Sequence, residues 1–279
     1  MGTLVTFHAH PDDEAVATGG TMAKAAAGGH RVVLVTATLG ELGTVAEGVL
    51  ATGEHLAERR KAELAEAARI LGVARVEVLG YRDSGMMGRP SNGAAGCFWQ
   101  ARLEEAAARL SDILVEETAN ALTIYDSHGH YGHPDHIQVH RVGVRAAELA
   151  ARQLGHLDVY EATLNRHRLL AVTRAVAQAG LPPIPEVEAA IETIGLPESE
   201  ITTAADVGPY LHKKRAAMAA HASQITAESF FLAMPPDLFR FAFGTEWYRR
   251  RGAARGAAFE TEIFLGSKPA RDAQRFLAG

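Results

Sequence analysis

The sequence predicts an α/β fold with a parallel sheet that is covered on both faces by helices. Short apolar runs of β-type residues alternate with longer helical runs through the first half of the chain, which is the pattern of β-α-β units. Two of the predicted strands run into histidines and carboxylates at their carboxyl ends. Because ligands of open α/β sheets bind outside the carboxyl ends of the strands, we expect these two polar clusters to meet in one site.

The first β-α-β unit lies at the N-terminus. Thr3–Ala9 is predicted to be a strand, followed by a helix over Ala15–Gly28 that ends at a pair of glycines. Arg31–Thr38 is predicted to be a second strand. Its apolar character is nearly continuous, which is typical of a strand buried on both faces.

The pattern of strand and helix then repeats. Residues 54–73 are strongly amphipathic and carry Gly72 near their end, which predicts a helix, and residues 75–81 are predicted to form the next strand. A helix from Phe98 to about Thr118 leads to a strand over Ala121–Asp126. The alternation therefore continues up to the second polar cluster.

The C-terminal half is organised differently. The proline-rich segment at residues 178–209 predicts a lid or insertion within a single domain that covers residues 1–279. A helix over about Tyr210–His221 follows, and β-type runs such as ETEIFLG, residues 260–266, come near the end. We expect this smaller region to border the site at the mouth of the sheet.

Composition narrows the classes of protein. The chain has 279 residues, of which 47% are hydrophobic and 22% are charged, and its net charge is −5. This acidic balance, with no basic run beyond Arg249–Arg251, argues against a nucleic-acid partner. No apolar stretch approaches the ~18 to 20 residues of a membrane span, and no basic leader precedes the first strand. The single cysteine, Cys97, excludes an internal disulfide framework. Together with the missing membrane span and leader, this predicts a cytoplasmic protein without a membrane partner.

The residue types in the two clusters are those of a catalytic metal site. Catalytic zinc needs three nitrogen or oxygen ligands and an open position for water. His10 and Asp13 are three residues apart at a strand-to-helix turn, and His133 and His136 have the same spacing in the second cluster. Asp12 is placed to take a proton from the bound water. Spacing alone does not decide which histidine of the second pair binds the metal.

A histidine that is left off the metal could protonate a leaving amine, with a neighbouring carboxylate to fix its tautomer. His133 with Asp135 fits that description. The alternative for the first cluster is a turn whose aspartates cap the next helix. Glu14 is expected to complement the helix dipole rather than to act in the site.

Two motifs carry a resemblance to a known family. AHPDDE, residues 9–14, together with YGHPDH, residues 131–136, resembles the PIG-L/LmbE family of zinc-dependent de-N-acetylases. The family includes the N-acetylglucosaminyl-inositol deacetylase of mycothiol synthesis and the mycothiol S-conjugate amidase. Further similar stretches are TLGELG (38–43), GYRDSGM (80–86), ITTAADV (201–207), KRAAMAAHASQI (214–225) and TEWY (245–248).

The resemblance implies a fold, a cofactor and a set of roles. The fold is a Rossmann-like parallel sheet without a bound dinucleotide, and ATGGT at residues 17–21 indeed lacks the GxGxxG spacing. The cofactor is zinc, with ferrous iron as an alternative in the cell. The zinc ligands are His10, Asp13 and His136. The catalytic groups are Asp12 as base, His133 as acid or oxyanion partner, Asp135 as its support and Tyr131 as a donor to the oxyanion. The substrate-binding positions are Glu41, Arg60 and Asp83.

The implied reaction is removal of an acetyl group from an N-acetylglucosamine-type amino-sugar conjugate, which is a small molecule. The alternatives are a mycothiol S-conjugate amidase, a deacetylase of a glycopeptide or aminoglycoside, and a metal-dependent sugar-binding module without turnover. AVATGG after the first motif departs from the family pattern, so the identity of the conjugate stays open. A homo-oligomer also stays open.

Several residues have a structural alternative. Arg60 could instead be a solvated charge paired with Glu63 or Glu66 on its helix, and His8 is expected to be a core histidine. Loop positions without substrate contact are favoured for His128 and His130, and packing is slightly favoured for His221.

Overall fold

A seven-stranded mixed sheet forms the centre of the fold in the computed structural model, which describes residues 1–45, 48–180 and 194–263. Its strands are Thr3–His8 (β1), Arg31–Thr36 (β2), Arg75–Val78 (β3), Ala121–Tyr125 (β4), Asp158–Thr163 (β5), Thr203–Asp206 (β6) and Thr245–Arg250 (β7). The helices are Asp13–Ala17 (α1), Gly19–Ala27 (α2), Leu56–Leu71 (α3), Leu103–Glu116 (α4), Gly129–Gly132 (α5), Pro134–Leu154 (α6), Arg166–Gln178 (α7), Leu211–Ala220 (α8), Phe230–Ala233 (α9) and Pro236–Phe243 (α10). Among the described residues, no helix is both long and apolar enough to cross a membrane.

The strand order is β3-β2-β1-β4-β5-β7-β6, and the first five strands are parallel. Every residue of β1 and β4 is buried. Alternate residues of β1 enter two separate apolar cores, with Leu4 on one face of the sheet and Val5 and Phe7 on the other. The order reverses between β1 and β4, where a crevice opens in sheets of this kind. The predicted helix-covered α/β sheet is confirmed for this part of the chain.

The last two strands are antiparallel. β7 pairs antiparallel with β5, and β6 pairs antiparallel with β7. β6 lies inside the segment 178–209 that was predicted to be a lid or insertion, of which residues 181–193 lie outside the described residues. The flanking Ile201 and Val207 are fully buried, and Val207 packs in the same core as Leu4 of β1, so β6 is part of the central sheet; a lid or insertion in the rest of the segment stays a prediction. Of ETEIFLG, only residues 260–263 are described, and Glu260 forms a single bridge with Thr203.

The helix predicted over Ala15–Gly28 is broken in two at Thr18. The Thr18 hydroxyl lies 2.9 Å from Nε2 of His8, and its backbone leaves the helical region. α2 then packs closely on the C-terminal part of the chain, because a Cβ at Gly20 would lie 2.5 Å from Cβ of Val207. Only glycine permits that approach, which brings the C-terminal part against the element that follows the first cluster.

Candidate active site

The two polar clusters meet at the carboxyl ends of β1 and β4, which are neighbours in the sheet. His10 and Asp12 come from the turn between β1 and α1, and Asp13 is the first residue of α1. His133 and His136 come from the start of α6, just after the short helix α5. The sheet therefore joins two motifs that lie far apart in the sequence, as predicted.

The three predicted metal ligands, His10, Asp13 and His136, converge on one point. Oδ2 of Asp13 lies 3.3 Å from Nδ1 of His10 and 3.3 Å from Nε2 of His136. Two ligands of a tetrahedral zinc ion, each about 2.0 to 2.1 Å from it, are separated by roughly the same distance. Ligand atoms of His10, His136 and also His133 lie within 4.8 Å of one another, so the geometry of this cluster leaves His133 as a further candidate.

His136 has the surroundings of a metal ligand. Both of its ring nitrogens are buried and, within the described part of the chain, neither makes a hydrogen bond, although Nε2 lies 3.3 Å from Oδ2 of Asp13. The Tyr125 ring stacks on it with 4.4 Å between ring centroids and an angle of 24°. A buried polar nitrogen without a partner is costly, and a metal ion in contact with Nε2 would remove that cost. The donor set of two histidines and a carboxylate fits a catalytic zinc site.

Carboxylates surround His10 on its other side. Nε2 of His10 lies 3.2 Å from Oδ2 of Asp135 and 3.6 Å from Oδ1 of Asp83. Burial alone would lower the pKa of His10, but its bonds to Asp13, Asp135 and Asp83 outweigh burial and raise it well above its usual value. The site therefore favours a positive charge, and the carboxylates behind His10 orient a ligand as outer carboxylates do in other metal sites.

Asp135 supports His10 through its carboxylate and His133 through its backbone N–H. Its carboxylate contacts His10 and accepts hydrogen bonds from the backbone N–H and the hydroxyl of Ser84, with 2.9 Å to the nitrogen. Its backbone N–H donates to Nδ1 of His133 at 3.1 Å. The sequence predicted instead that the carboxylate fixes His133. Ser84 was missed by the sequence analysis, although it directly follows Asp83 in the similar stretch GYRDSGM.

Asp12 adopts a backbone conformation that is rare for a side-chain-bearing residue, with φ of 105° and ψ of −35°. Such a conformation costs about 1 to 3 kcal/mol and persists only where surrounding contacts enforce it. Its carboxylate makes no capping hydrogen bond to α1, so the capping alternative is not what the structure shows. Burial raises its pKa to about 6, although the Arg60 guanidinium, 3.2 Å from Oδ2, acts in the opposite direction.

His133 and Tyr131 lie beside the ligand cluster. Since Nδ1 of His133 accepts a backbone N–H, its neutral ring carries the proton on Nε2. Burial, with His10 and His136 nearby, lowers its pKa to about 3, which keeps the ring neutral near pH 7. The Tyr131 ring is 5.0 Å from that of His136, and Tyr131 is 40% exposed. Both residues can donate hydrogen bonds to a ligand in the cleft.

The three predicted substrate-binding residues also hold the site together. Arg60 is 3% exposed and donates to the backbone carbonyls of Gly40 and Pro11, so it is not the solvated helix charge that was considered as an alternative. The Asp83 carboxylate accepts from two backbone N–H groups, and Glu41 accepts from the N–H of Asp83 at 3.1 Å. Contact with a substrate stays a prediction for all three.

Other flanking histidines have structural partners. His8 is 1% exposed and lies 2.9 Å from the Tyr125 hydroxyl, and burial lowers its pKa to about 4, as expected for a core histidine. Nε2 of His130 lies 2.9 Å from the carbonyl oxygen of Ala162 in β5. His221 is fully buried and pairs with Glu14, which the sequence had assigned only to the helix dipole.

Fold and site together define a class, an α/β protein with a candidate metal centre at the carboxyl ends of parallel strands. Residues 5–147 match the family model described as PIG-L, GlcNAc-PI de-N-acetylase. The chain belongs to this family, and it is an N-deacetylase.

Similar proteins span nearly the whole chain. The 1D-myo-inositol 2-acetamido-2-deoxy-alpha-D-glucopyranoside deacetylase of Thermomonospora curvata is 42% identical, with 94% of this chain and 96% of that protein covered. The protein of the same name from Streptomyces avermitilis is also 42% identical, with 95% and 97% covered.

Solved structures share the fold at lower identity. The N,N'-diacetylchitobiose deacetylase from Pyrococcus horikoshii has a TM-score of 0.56 at 20% identity, with 89% of this chain and 83% of that chain covered. A 4-carboxy-2-hydroxymuconate hydratase from Pseudomonas putida has a TM-score of 0.57 at 17% identity, with 93% and 100% covered. A hydratase and a deacetylase thus share this fold, so these two structures by themselves show the fold and not the reaction.

Proposed function

We propose that this protein removes the N-acetyl group from an N-acetylglucosamine-type conjugate of inositol and releases acetate and a free amine. The observation that carries the proposal is the convergence of His10, Asp13 and His136 on one point, with the carboxylate of the adjacent residue Asp12 held by Arg60. Relatives that are 42% identical are named for deacetylation of such a conjugate, 1D-myo-inositol 2-acetamido-2-deoxy-alpha-D-glucopyranoside.

His10, Asp13 and His136 would hold the metal, which we propose to be zinc. When bound, zinc supplies Lewis-acid activation of water and polarises the amide carbonyl. The orphaned nitrogens of His136 and the three carboxylates around His10 support a cation here. His133 stays off the metal in this proposal, because Asp13 already contacts both other ligands and Nδ1 of His133 is occupied.

Asp12 is the proposed general base. Arg60 holds Oδ2, so we assign the proton of the attacking water to Oδ1. A pKa of about 6 keeps the carboxylate mostly deprotonated at pH 7 and close enough to neutrality to release the proton again. The Asp12 side chain is 22% exposed, so water can reach its carboxylate.

His133 and Tyr131 are the proposed hydrogen-bond donors to the substrate amide. Tyr131 donates its hydroxyl hydrogen to the oxyanion as the carbonyl carbon becomes tetrahedral. His133 keeps its proton and donates a hydrogen bond from Nε2 to the departing nitrogen, and Asp12 passes to that nitrogen the proton it took from water. The water oxygen thus ends in acetate and its proton ends, in net terms, on the amine.

A substrate panel tests the proposal. The protein is stripped of metal, reconstituted with zinc or ferrous iron, and assayed for product amine on N-acetylglucosaminyl-inositol, a mycothiol S-conjugate and a glycopeptide N-acyl sugar. We expect turnover of the first compound by the reconstituted protein and none by the stripped protein. A preference for the S-conjugate would instead identify an amidase, and binding without any product amine would identify a sugar-binding module.

A further inference from the structure

Glu14 and His221 form a buried pair directly behind Asp12. Both side chains are 0% exposed, and Nε2 of His221 lies 2.5 Å from Oε1 of Glu14. The other carboxylate oxygen, Oε2, accepts the backbone N–H of Asp12 at 2.9 Å. One carboxylate therefore links the residue that follows α8 to the backbone of the proposed base.

The backbone of Asp12 needs such a contact. Its φ of 105° lies in the region that residues with a side chain rarely adopt. Its carbonyl accepts from the N–H groups of Ala15 and Val16, and its carboxylate contacts Arg60. The remaining group, the N–H, is held by Glu14. Among the described residues, Asp12 thus has partners for its N–H, its carbonyl and Oδ2, and Oδ1 is the oxygen to which we assign the proton.

Glu14 can serve Asp12 only while His221 satisfies its other oxygen. A buried carboxylate with an unmet oxygen is costly, and it would turn towards another donor or admit water. His221 comes from a part of the chain 207 positions away, where the neighbouring Ser223 and Gln224 also contact Glu63 and Arg60 of α3. The segment 221–224 therefore contacts both residues that hold Asp12, namely Glu14 at its backbone N–H and Arg60 at its carboxylate.

We infer that Glu14 and His221 are positioning residues that fix the left-handed backbone of Asp12 and so aim its carboxylate at the attacking water. Neither residue touches the substrate or the proposed metal. The inference rests on the proposed function, because that proposal makes Asp12 the base.

The test compares His221→Phe, which removes the donor to Glu14, with His221→Gln, which keeps one. In the zinc-loaded protein, His221→Phe should lower kcat by about 10- to 100-fold, as expected for a misaligned base, while KM and zinc content stay unchanged. His221→Gln should restore most of the lost kcat. The matched control is His212→Phe, at an exposed position on α8, which should leave kcat unchanged.

Two further measurements separate positioning from general destabilisation. If His221 acts through Glu14, the double variant Glu14→Gln/His221→Phe should have nearly the same kcat as Glu14→Gln alone. We expect a difference of less than about twofold, because contacts in one network are not additive. Hydrogen exchange of the Asp12 amide should accelerate in His221→Phe. Loss of zinc in step with kcat, effects that multiply in the double variant, or failure of His221→Gln to restore kcat would overturn the inference.

The amide measurement does not depend on catalysis. If the unmodified protein deacetylates no conjugate, the proposed function fails. An unchanged exchange rate of the Asp12 amide in His221→Phe would still overturn the positioning role, and a faster rate would support it.

Discussion

At the residue scale, the chemistry depends on the protonation of Asp12. Burial raises its pKa to about 6. Since only the deprotonated carboxylate accepts a proton, kcat/KM should rise with pH through about 6 and level off above it. Asp12→Asn should lower kcat by about 10²- to 10⁴-fold and remove this inflection while zinc stays bound. Retained activity in Asp12→Asn, measured beside zinc content by elemental analysis, would refute its role as base.

Ser84 is a second residue with an effect that can be measured. It holds the Asp135 carboxylate against His10 through both its N–H and its hydroxyl. Ser84→Ala should weaken zinc binding by about 10-fold, the lower end for an outer contact of a metal ligand. Competition with a chelator of known affinity measures this change. Ser199→Ala, at an exposed position, is the control, and His136→Ala should lose zinc outright. Equal zinc affinity in Ser84→Ala and the unmodified protein would contradict the prediction.

At the element scale, Glu117 ties the end of α4 to two strands. Its carboxylate contacts Arg31 of β2 at 2.5 Å and Arg75 of β3 at 2.8 Å. The hydrogen bonds from Arg31 and Arg75, though opposed by burial, lower its pKa from 4.5 to about 2. A lowered folded-state pKa stabilises the protein above pH 4.5, and this contribution is lost as the pH falls towards 2.

Glu117→Gln should therefore lower the free energy of unfolding by about 1 to 2 kcal/mol at pH 7, and by progressively less below about pH 4.5. Urea unfolding at several pH values measures the difference. Glu116→Gln is a matched control, because Glu116 is 63% exposed and its pairing with Arg75 is screened by solvent. A difference that stays constant down to about pH 3 would show that the carboxylate charge is not responsible.

The bounds of the helices and strands show which features of the fold a local sequence pattern can predict. Gly72 ends α3 in the left-handed conformation, as its position after an amphipathic run predicts. The break at Thr18 was not predicted, and the Thr18 hydroxyl contacts His8 in β1, a partner that local periodicity does not indicate. β6 was also missed, since a four-residue strand at a sheet edge leaves little periodicity to recognise.

At the scale of the whole molecule, a buried ion pair in the C-terminal part of the chain is hydrogen-bonded to α2 near the N-terminus. Nζ of Lys214 in α8 lies 2.5 Å from Oε1 of Glu246 in β7, and the Glu246 carboxylate accepts the N–H groups of Gly20 and Thr21 at 2.8 Å each. Lys214→Met would leave Glu246 buried without its cation and should lower the free energy of unfolding by about 3 kcal/mol. Chemical denaturation measures this value, with Lys213→Met as control. Equal stability of the two variants would contradict the prediction.

The sequence by itself determined the order of β-α-β units, the sheet edge that carries the site and the residues of both clusters. These features follow from local hydrophobic periodicity and from the chemistry that each side chain can perform. Only the tertiary structure decided that the Asp135 carboxylate turns to His10, that the final strands run antiparallel and that Glu14 pairs with His221. Those contacts join groups far apart in the chain, up to 207 positions for Glu14 and His221, and local patterns do not specify such partners.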